Sequence, residues 1–339
     1  MAAAISRKQF LIGAGAAAGA AILAPRISRA ARPSVIKLGV DLPLDHPTTM
    51  HMTAAAAQIK SESKGEVEVQ VFPSGQLGND SHMLSGVRSG AIQMMGIGDN
   101  ILAALVPNTG IDNIGFAFSK AATAFAALDG EVGDIVRADI EKHGLHPLHA
   151  IWDEGFREIT SGTKPIKTVE DLKGFKIRVP ESPISLSLFK DLGAAAVTMN
   201  VAELYTALQT HVVDGQENPL GVIWTQKFYQ VQKYCALTNH MWVGYWMIMN
   251  GAFWKRLPAD HQKIVEAAFN AEGLKQRVSN EDLNNSLQGK LEAAGLKFNT
   301  PDIAPFREKL VQSGFYKHWQ GVFGQALWDA LEKYTGTLA

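Results

Sequence analysis

Gly174–Pro183 is GFKIRVPESP, and the rest of the chain is best read outward from it. Phe175, Ile177 and Val179 alternate with Lys176 and Arg178, the period-two pattern of a short strand with two unlike faces. Pro180 and Pro183 each lack a backbone donor, so the strand stops and the chain turns away at once. Arg178 is therefore expected to project from a rigid strand end. A guanidinium keeps its charge at physiological pH, and its paired donors match a carboxylate. The plainer reading is a surface strand with two solvated cations.

On both sides of this stretch, strand and helix patterns alternate. Ser34–Val40, Glu66–Phe72 and Ala91–Ile97 read as strands, with a helix from Pro47 to about Ser63 and a short one over His82–Ser89. Ala121–His143 reads as one helix stopped by Gly144, and Pro147–Asp153 as a strand. Thr168 caps a single turn with Asp171 three residues on. After Arg178 come a helix over Ser182–Leu192, a strand over Ala195–Thr198 and a helix over Val201–Thr210. Val213–Pro219 (VDGQENP) is a polar string bracketed by Gly215, free to take an unusual backbone angle, and by Asn218, held extended before Pro219. Trp242–Asn250 is an apolar strand able to pass between domains. Pro258–Ala294 keeps helical periodicity far beyond the usual length, breaking near Gly273 if anywhere, and suits a scaffold across two lobes. The alternation predicts an α/β protein with parallel, doubly wound sheets covered on both faces. At 339 residues, two domains are the default.

Composition narrows the function. A formal net charge of -1 gives no electrostatic footprint for nucleic acid, and a single cysteine excludes an internal disulfide or a multi-cysteine metal site. His143, His146 and His149 have suggestive spacing, but Gly144 and Pro147 break any helix there, so neither metal nor cofactor is expected. No G-x-S-x-G, H-E-x-x-H or phosphate-binding glycine loop occurs; Asp45–His46 is the nearest thing to an acid–base pair. Arg7 and Lys8, the apolar run Phe10–Ala24 and Ser28-Arg29-Ala30 have the order of an export signal over residues 1–30. SRKQFL at Ser6–Leu11 is similar to a twin-arginine motif, with Lys8 in place of the second arginine.

Strand exits carry the polar residues: Asp41, Asp99, Asp153 with Glu154, and Arg178. Ligands of open α/β sheets bind beyond the carboxyl ends of strands. Arg157, just after another strand, adds a second cation with no basic run around it, a pattern that favours a small anion.

The strings FPSGQLG (Phe72–Gly78), GFREITS (Gly155–Ser161), DLKGFKIRVPES (Asp171–Ser182), ALQTHVVDGQENP (Ala207–Pro219), KFYQVQKY (Lys227–Tyr234) and LTNH (Leu237–His240) carry a resemblance. Over residues 34–320 the chain resembles the extracytoplasmic solute-binding subunits of tripartite ATP-independent periplasmic (TRAP) transporters. The resemblance implies two α/β lobes with a hinge and a long lobe-spanning helix: lobe I from 34–154 plus about 244–282, lobe II from 155–243 plus about 283–339. It implies that Arg178 pairs with a substrate carboxylate, that Arg157 is a second contact and that Asn218 orders the same group. Asp41, Asp80, Glu181, Ser182, Trp242 and Tyr245 carry over as further pocket positions, and Trp152 and Trp246 are candidate walls. Gly98 stands where sialic-acid binders of the family have an acidic side chain, which argues against that substrate. The implied protein is a periplasmic monomer that takes a small-molecule carboxylate, serves TRAP membrane subunits and binds no nucleic acid. The alternatives from other classes are an exported enzyme using Asp45–His46 and a ligand-sensing module for a membrane receptor.

Overall fold

A computed structural model describes residues 33–338; the expected export signal lies outside the described residues. The strands form two six-stranded sheets. The first holds β1 (Ser34–Gly39), β2 (Val67–Phe72), β3 (Met94–Gly98), β4 (Leu145–Pro147), β5 (Trp152–Phe156) and β11 (Trp242–Asn250). The second holds β6 (Glu158–Ser161), β7 (Lys176–Val179), β8 (Ala195–Thr198), β9 (Gly215–Asn218), β10 (Tyr234–Ala236) and β12 (Lys297–Asn299). Helices flank both, giving two α/β lobes.

The sheets are mixed, not parallel as the alternation suggested. β1 runs parallel to β2 and β3, but β11 is antiparallel to β3, β4 and β5. The chain leaves the first lobe after β5 and returns at Trp242 from the edge it left, so β11 must run back against its neighbours. β11 pairs only with strands of the first sheet and does not itself pass between the lobes.

The helix Ala259–Ala293 is continuous for 35 residues and packs on first-lobe helix Pro47–Glu62 and on second-lobe helix Leu220–Thr225. It does not break at Gly273. A Cβ there would fall 2.5 Å from Trp152 Nε1, so the glycine admits the indole rather than a bend.

Three other readings need correction. The expected strand Pro147–Asp153 is interrupted after β4. In the gap, His149 N donates to Glu266, Ala150 N to Asn270, and Arg277 donates to Ile151 O; side chains of the long helix take the backbone groups a sheet partner would have taken. The helix expected over Ala121–His143 is two, Ala121–Leu128 and Glu131–Lys142. Gly130 departs from helical geometry, and Arg137 Nη1 donates to the freed Leu128 carbonyl at 2.9 Å. The polar string VDGQENP is strand at its centre, β9, buried between β6 and β7. Gly215 does not take a left-handed angle. It is needed because a Cβ would lie 2.1 Å from Thr160 O in the neighbouring strand. The last helix, Gln325–Thr335, packs on the helices over 121–128 and 131–142, so the C-terminal segment assigned to lobe II also clasps lobe I.

Candidate functional site: a charged cleft between the lobes

Topology brings the two arginines together. β6 is antiparallel to β9, pairing Glu158 with Asn218, whereas β7 is parallel to β9, pairing Arg178 with Gln216. The start of β6 and the end of β7 therefore meet at one edge of the second sheet. Arg157 stands just before the first and Arg178 lies on the second, with Asn218 between them. On the facing lobe, β1 and β3 are parallel and deliver Asp41 and Asn100 to the matching edge, while β5 supplies Glu154 and the helix Asp80–Ser89 starts with Asp80. Asp41, Asp80, Asn100, Glu154, Arg157, Arg178 and Asn218 line one cavity of about 20 Å³, room for about one water. The lobes thus meet over it, and Ser81 Oγ donates to Glu181 Oε2 at 2.7 Å across the rim. Larger open grooves lie beside Trp254 and along the long helix, and neither is lined by Arg157 or Arg178.

The two guanidinium groups differ in what they have left to give. Arg157 is committed to protein: Nε donates to Glu217 Oε2 at 2.5 Å, Nη1 to Glu154 Oε2 at 3.0 Å, and Nη2 to Glu217 O, Glu217 Oε1 and Asn218 Oδ1 at 2.8, 3.1 and 2.9 Å. Glu217 also meets His240 Nε2 at 3.2 Å, and His240 Nδ1 meets Thr238 Oγ1 at 2.8 Å. Burial would raise the Glu217 carboxyl, but the charge of Arg157 and the bonds from His240 outweigh it and hold it at about 2. Arg178 donates through Nε to Met199 O at 2.8 Å, and its Nη groups have no hydrogen-bond acceptor among the described residues. It is 2 % exposed, and burial pushes its pKa down to about 10, still charged at neutral pH. Such a group can fork one incoming carboxylate.

The first lobe answers with acids. Burial raises all three: Asp41 above its usual value despite the Tyr245 hydroxyl bonded to it at 2.6 Å, Asp80 well above through burial and the nearby charge of Asp41, and Glu154 to about 7 against the pull of Arg157. They can accept from hydroxyls and, when protonated, donate.

Of the residues singled out from sequence, Asp41, Asp80, Arg157, Arg178 and Asn218 line the cavity. Tyr245 stands behind Asp41, and Glu181 holds the rim. Ser182 is spent as the N-cap of Pro183–Asp191, accepting from Ser185 N. Trp242 is a core residue, packed edge-on to Phe118 and Phe125 with its Nε1 donating to Asp153 at 2.9 Å; Trp152 and Trp246 are fully buried as well. Burial on apolar neighbours, not the cleft, claims these rings. Asp99 and Asp153 also turn inward, to Gly244 N and Asn113 and to Trp242 and Asn280. His46 is a buried helix cap with Nδ1 accepting from Thr48 N, and burial lowers it to about 4. Sequence reading missed Asn100 and the partner Glu217. Glu217 had a signal, an acid between two amides in the bracketed string VDGQENP; Asn100 had none.

Residues 39–331 match the family of bacterial extracellular solute-binding proteins, family 7. The chain belongs to this family. It is 39% identical over 236 residues to the 2,3-diketo-L-gulonate-binding periplasmic protein YiaO of Escherichia coli, covering 69% of this chain and 72% of that one. It is 31% identical over 291 residues to the C4-dicarboxylate-binding periplasmic protein DctP of Rhodobacter capsulatus, 85% and 87% of the two. Among solved structures, the sugar acid binding protein of Advenella mimigardefordensis in complex with galactonate superposes with a TM-score of 0.85 at 30% identity, over 89% of this chain and 99% of that one. A TRAP periplasmic solute binding protein from Sulfurospirillum deleyianum with bound succinate gives 0.84 at 29%, over 90% and 99%. The protein is thus a TRAP-type solute-binding protein with the two-lobed fold the motifs implied.

Proposed function

We propose that the protein captures a polyhydroxylated monocarboxylate, a sugar acid, in the periplasm, releases it unchanged and delivers it to TRAP membrane subunits. The observation that carries this is the unspent fork of Arg178 facing three buried carboxylates. Arg178 takes the ligand's carboxylate, Arg157 and Asn218 brace it, and Asp41, Asp80 and Glu154 receive the hydroxyls of the remainder. A second carboxylate on the far side would find three acids and no cation to pair with, so a dicarboxylate is the weaker ligand. Relatives named for diketogulonate and galactonate support the class. Capture requires the lobes to part, because the closed cavity is smaller than any sugar acid; reclosure then expels water and strengthens the charge-assisted bonds. The test is a calorimetric titration of aldonates, uronates, succinate and a sialic acid into the purified protein. Tight binding of a sugar acid, lost in Arg178→Ala, is expected. Preference for succinate, or affinity for acids unchanged in Arg178→Ala, would overturn the reading.

A further inference from the structure

The polar side chains of the cavity are nearly all accounted for. Arg157, Glu154 and Asn218 bond one another or Glu217, Asp41 bonds Tyr245, the Arg178 fork is assigned to the ligand's carboxylate and Asp80 to its hydroxyls. Asn100 is left over. It follows β3 as the second residue of the turn Asp99–Leu102, lines the cavity and is 1 % exposed. Its Nδ2 is buried without a hydrogen-bond partner among the described residues. Its neighbour Asp99 is satisfied by Gly244 N at 2.6 Å and Asn113 Nδ2 at 2.8 Å, so polar groups of the same turn do find partners here. A buried amide donor left open inside a ligand cavity is costly unless something completes it. The strand end is also shaped for this side chain. A Cβ on Gly98 would lie 2.8 Å from Asn100 Oδ1, so the absent side chain at 98 is what lets the amide lie against β3.

We propose that Asn100 is a specificity-determining residue of the first lobe, its amide N–H donating to an acceptor oxygen on the part of the ligand remote from the carboxylate. This rests on the sugar-acid reading of the same cleft. The three acids around it accept from the ligand's hydroxyls and donate only through a proton they happen to hold, whereas an amide N–H donates at any pH. Asn100 supplies that fixed donor. It pairs with a carbonyl or ring oxygen directly, or with a hydroxyl oxygen whose own hydrogen goes to an acid. A methylene at that place leaves the donor unpaired, and sites built to hydrogen-bond an oxygen reject analogues that lack it. Asn100 thus demands oxygenation at one position of the carbon chain.

The test titrates galactonate, galacturonate, glucuronate and erythronate, then single-deoxy analogues of the tightest, into the parent and into Asn100→Leu and Asn100→Asp. Asn100→Asp keeps the shape and removes the donor. Both variants are expected to bind the tightest acid about tenfold or more weaker. One deoxy analogue should bind the parent about tenfold weaker and lose little further in the variants. If Asn100→Leu does not fold, Asn100→Asp and Gly98→Ala, which crowds the amide, decide in its place. Variants that bind every sugar acid like the parent would overturn the role of Asn100 alone. A parent that binds none of them would overturn the sugar-acid reading and this inference together.

Discussion

Glu217 lies behind Arg157 as its fixed counter-ion: the two share a 2.5 Å bond from Nε and two more from Nη2, with Glu217 fully buried and Arg157 2 % exposed. Removing one partner of a buried pair leaves an uncompensated charge, which costs about 3–5 kcal/mol. Glu154, raised to about 7, is a poor replacement. Glu217→Gln is therefore expected to lower the unfolding free energy by that amount, read as a lower midpoint of chemical denaturation, and to weaken ligand binding with it. A midpoint equal to the parent's would show that the pair does not organise this edge.

Arg178 should behave in the opposite way. Its terminal nitrogens have no hydrogen-bond acceptor among the described residues, and burial already works against its charge. Arg178→Met should leave folding stability unchanged or raise it, while carboxylate affinity falls by at least about 2 kcal/mol, thirtyfold. Arg157→Met should lose both. Denaturation curves and calorimetry on the two variants separate the roles, and equal destabilisation by both would refute the division.

This division marks the limit of what the sequence makes legible. The alternation around Arg178, the brackets Gly174 and Pro180, and the motif strings suffice for the two lobes and for the arginines at neighbouring strand exits. They do not reveal which arginine is spent. That depends on Glu217, whose side chain reaches Arg157 only because β6 and β9 are antiparallel with Glu158 opposite Asn218. The mixed sheet order is invisible to local periodicity for the same reason, since the direction of β11 follows from where the chain re-enters the first lobe. The sequence leaves the tryptophans undecided because a flat apolar ring suits a core as well as a pocket wall, and here Phe118, Phe125 and Gly273 supply core partners. Asn100 carries no sequence signal because an asparagine after a strand is ordinary; only burial without a partner marks it.

Glu158 provides a pH prediction. It is 4 % exposed, and burial raises it from 4.5 to about 8 against the bond it accepts from Asn239 N at 2.9 Å. In the unfolded chain it ionises near its ordinary value, so between about pH 4.5 and 8 the folded state holds a proton that the unfolded state has lost. Stability from this group is complete below that window and falls as pH rises through it. Glu158→Gln keeps an acceptor for Asn239 and cannot ionise. The variant should match the parent near pH 4 and exceed it increasingly towards pH 8 in thermal melts. A difference independent of pH would refute the assignment.

Ser81 and Glu181 bear on closure rather than on folding. Their 2.7 Å bond joins the helix Asp80–Ser89 of one lobe to the segment after β7 of the other, and both groups reach solvent at the rim. An exposed bond of this kind contributes about 0.5–1 kcal/mol, and only while the lobes are together. Since it biases the closed state without touching the cavity, its loss should appear as faster release. Ser81→Ala is expected to raise the ligand dissociation rate about two- to fivefold, with association and thermal stability unchanged. Stopped-flow displacement measures this directly: an unaltered dissociation rate would mean that the closed state does not depend on this contact, and a slower association would place the contact on the path of ligand entry instead.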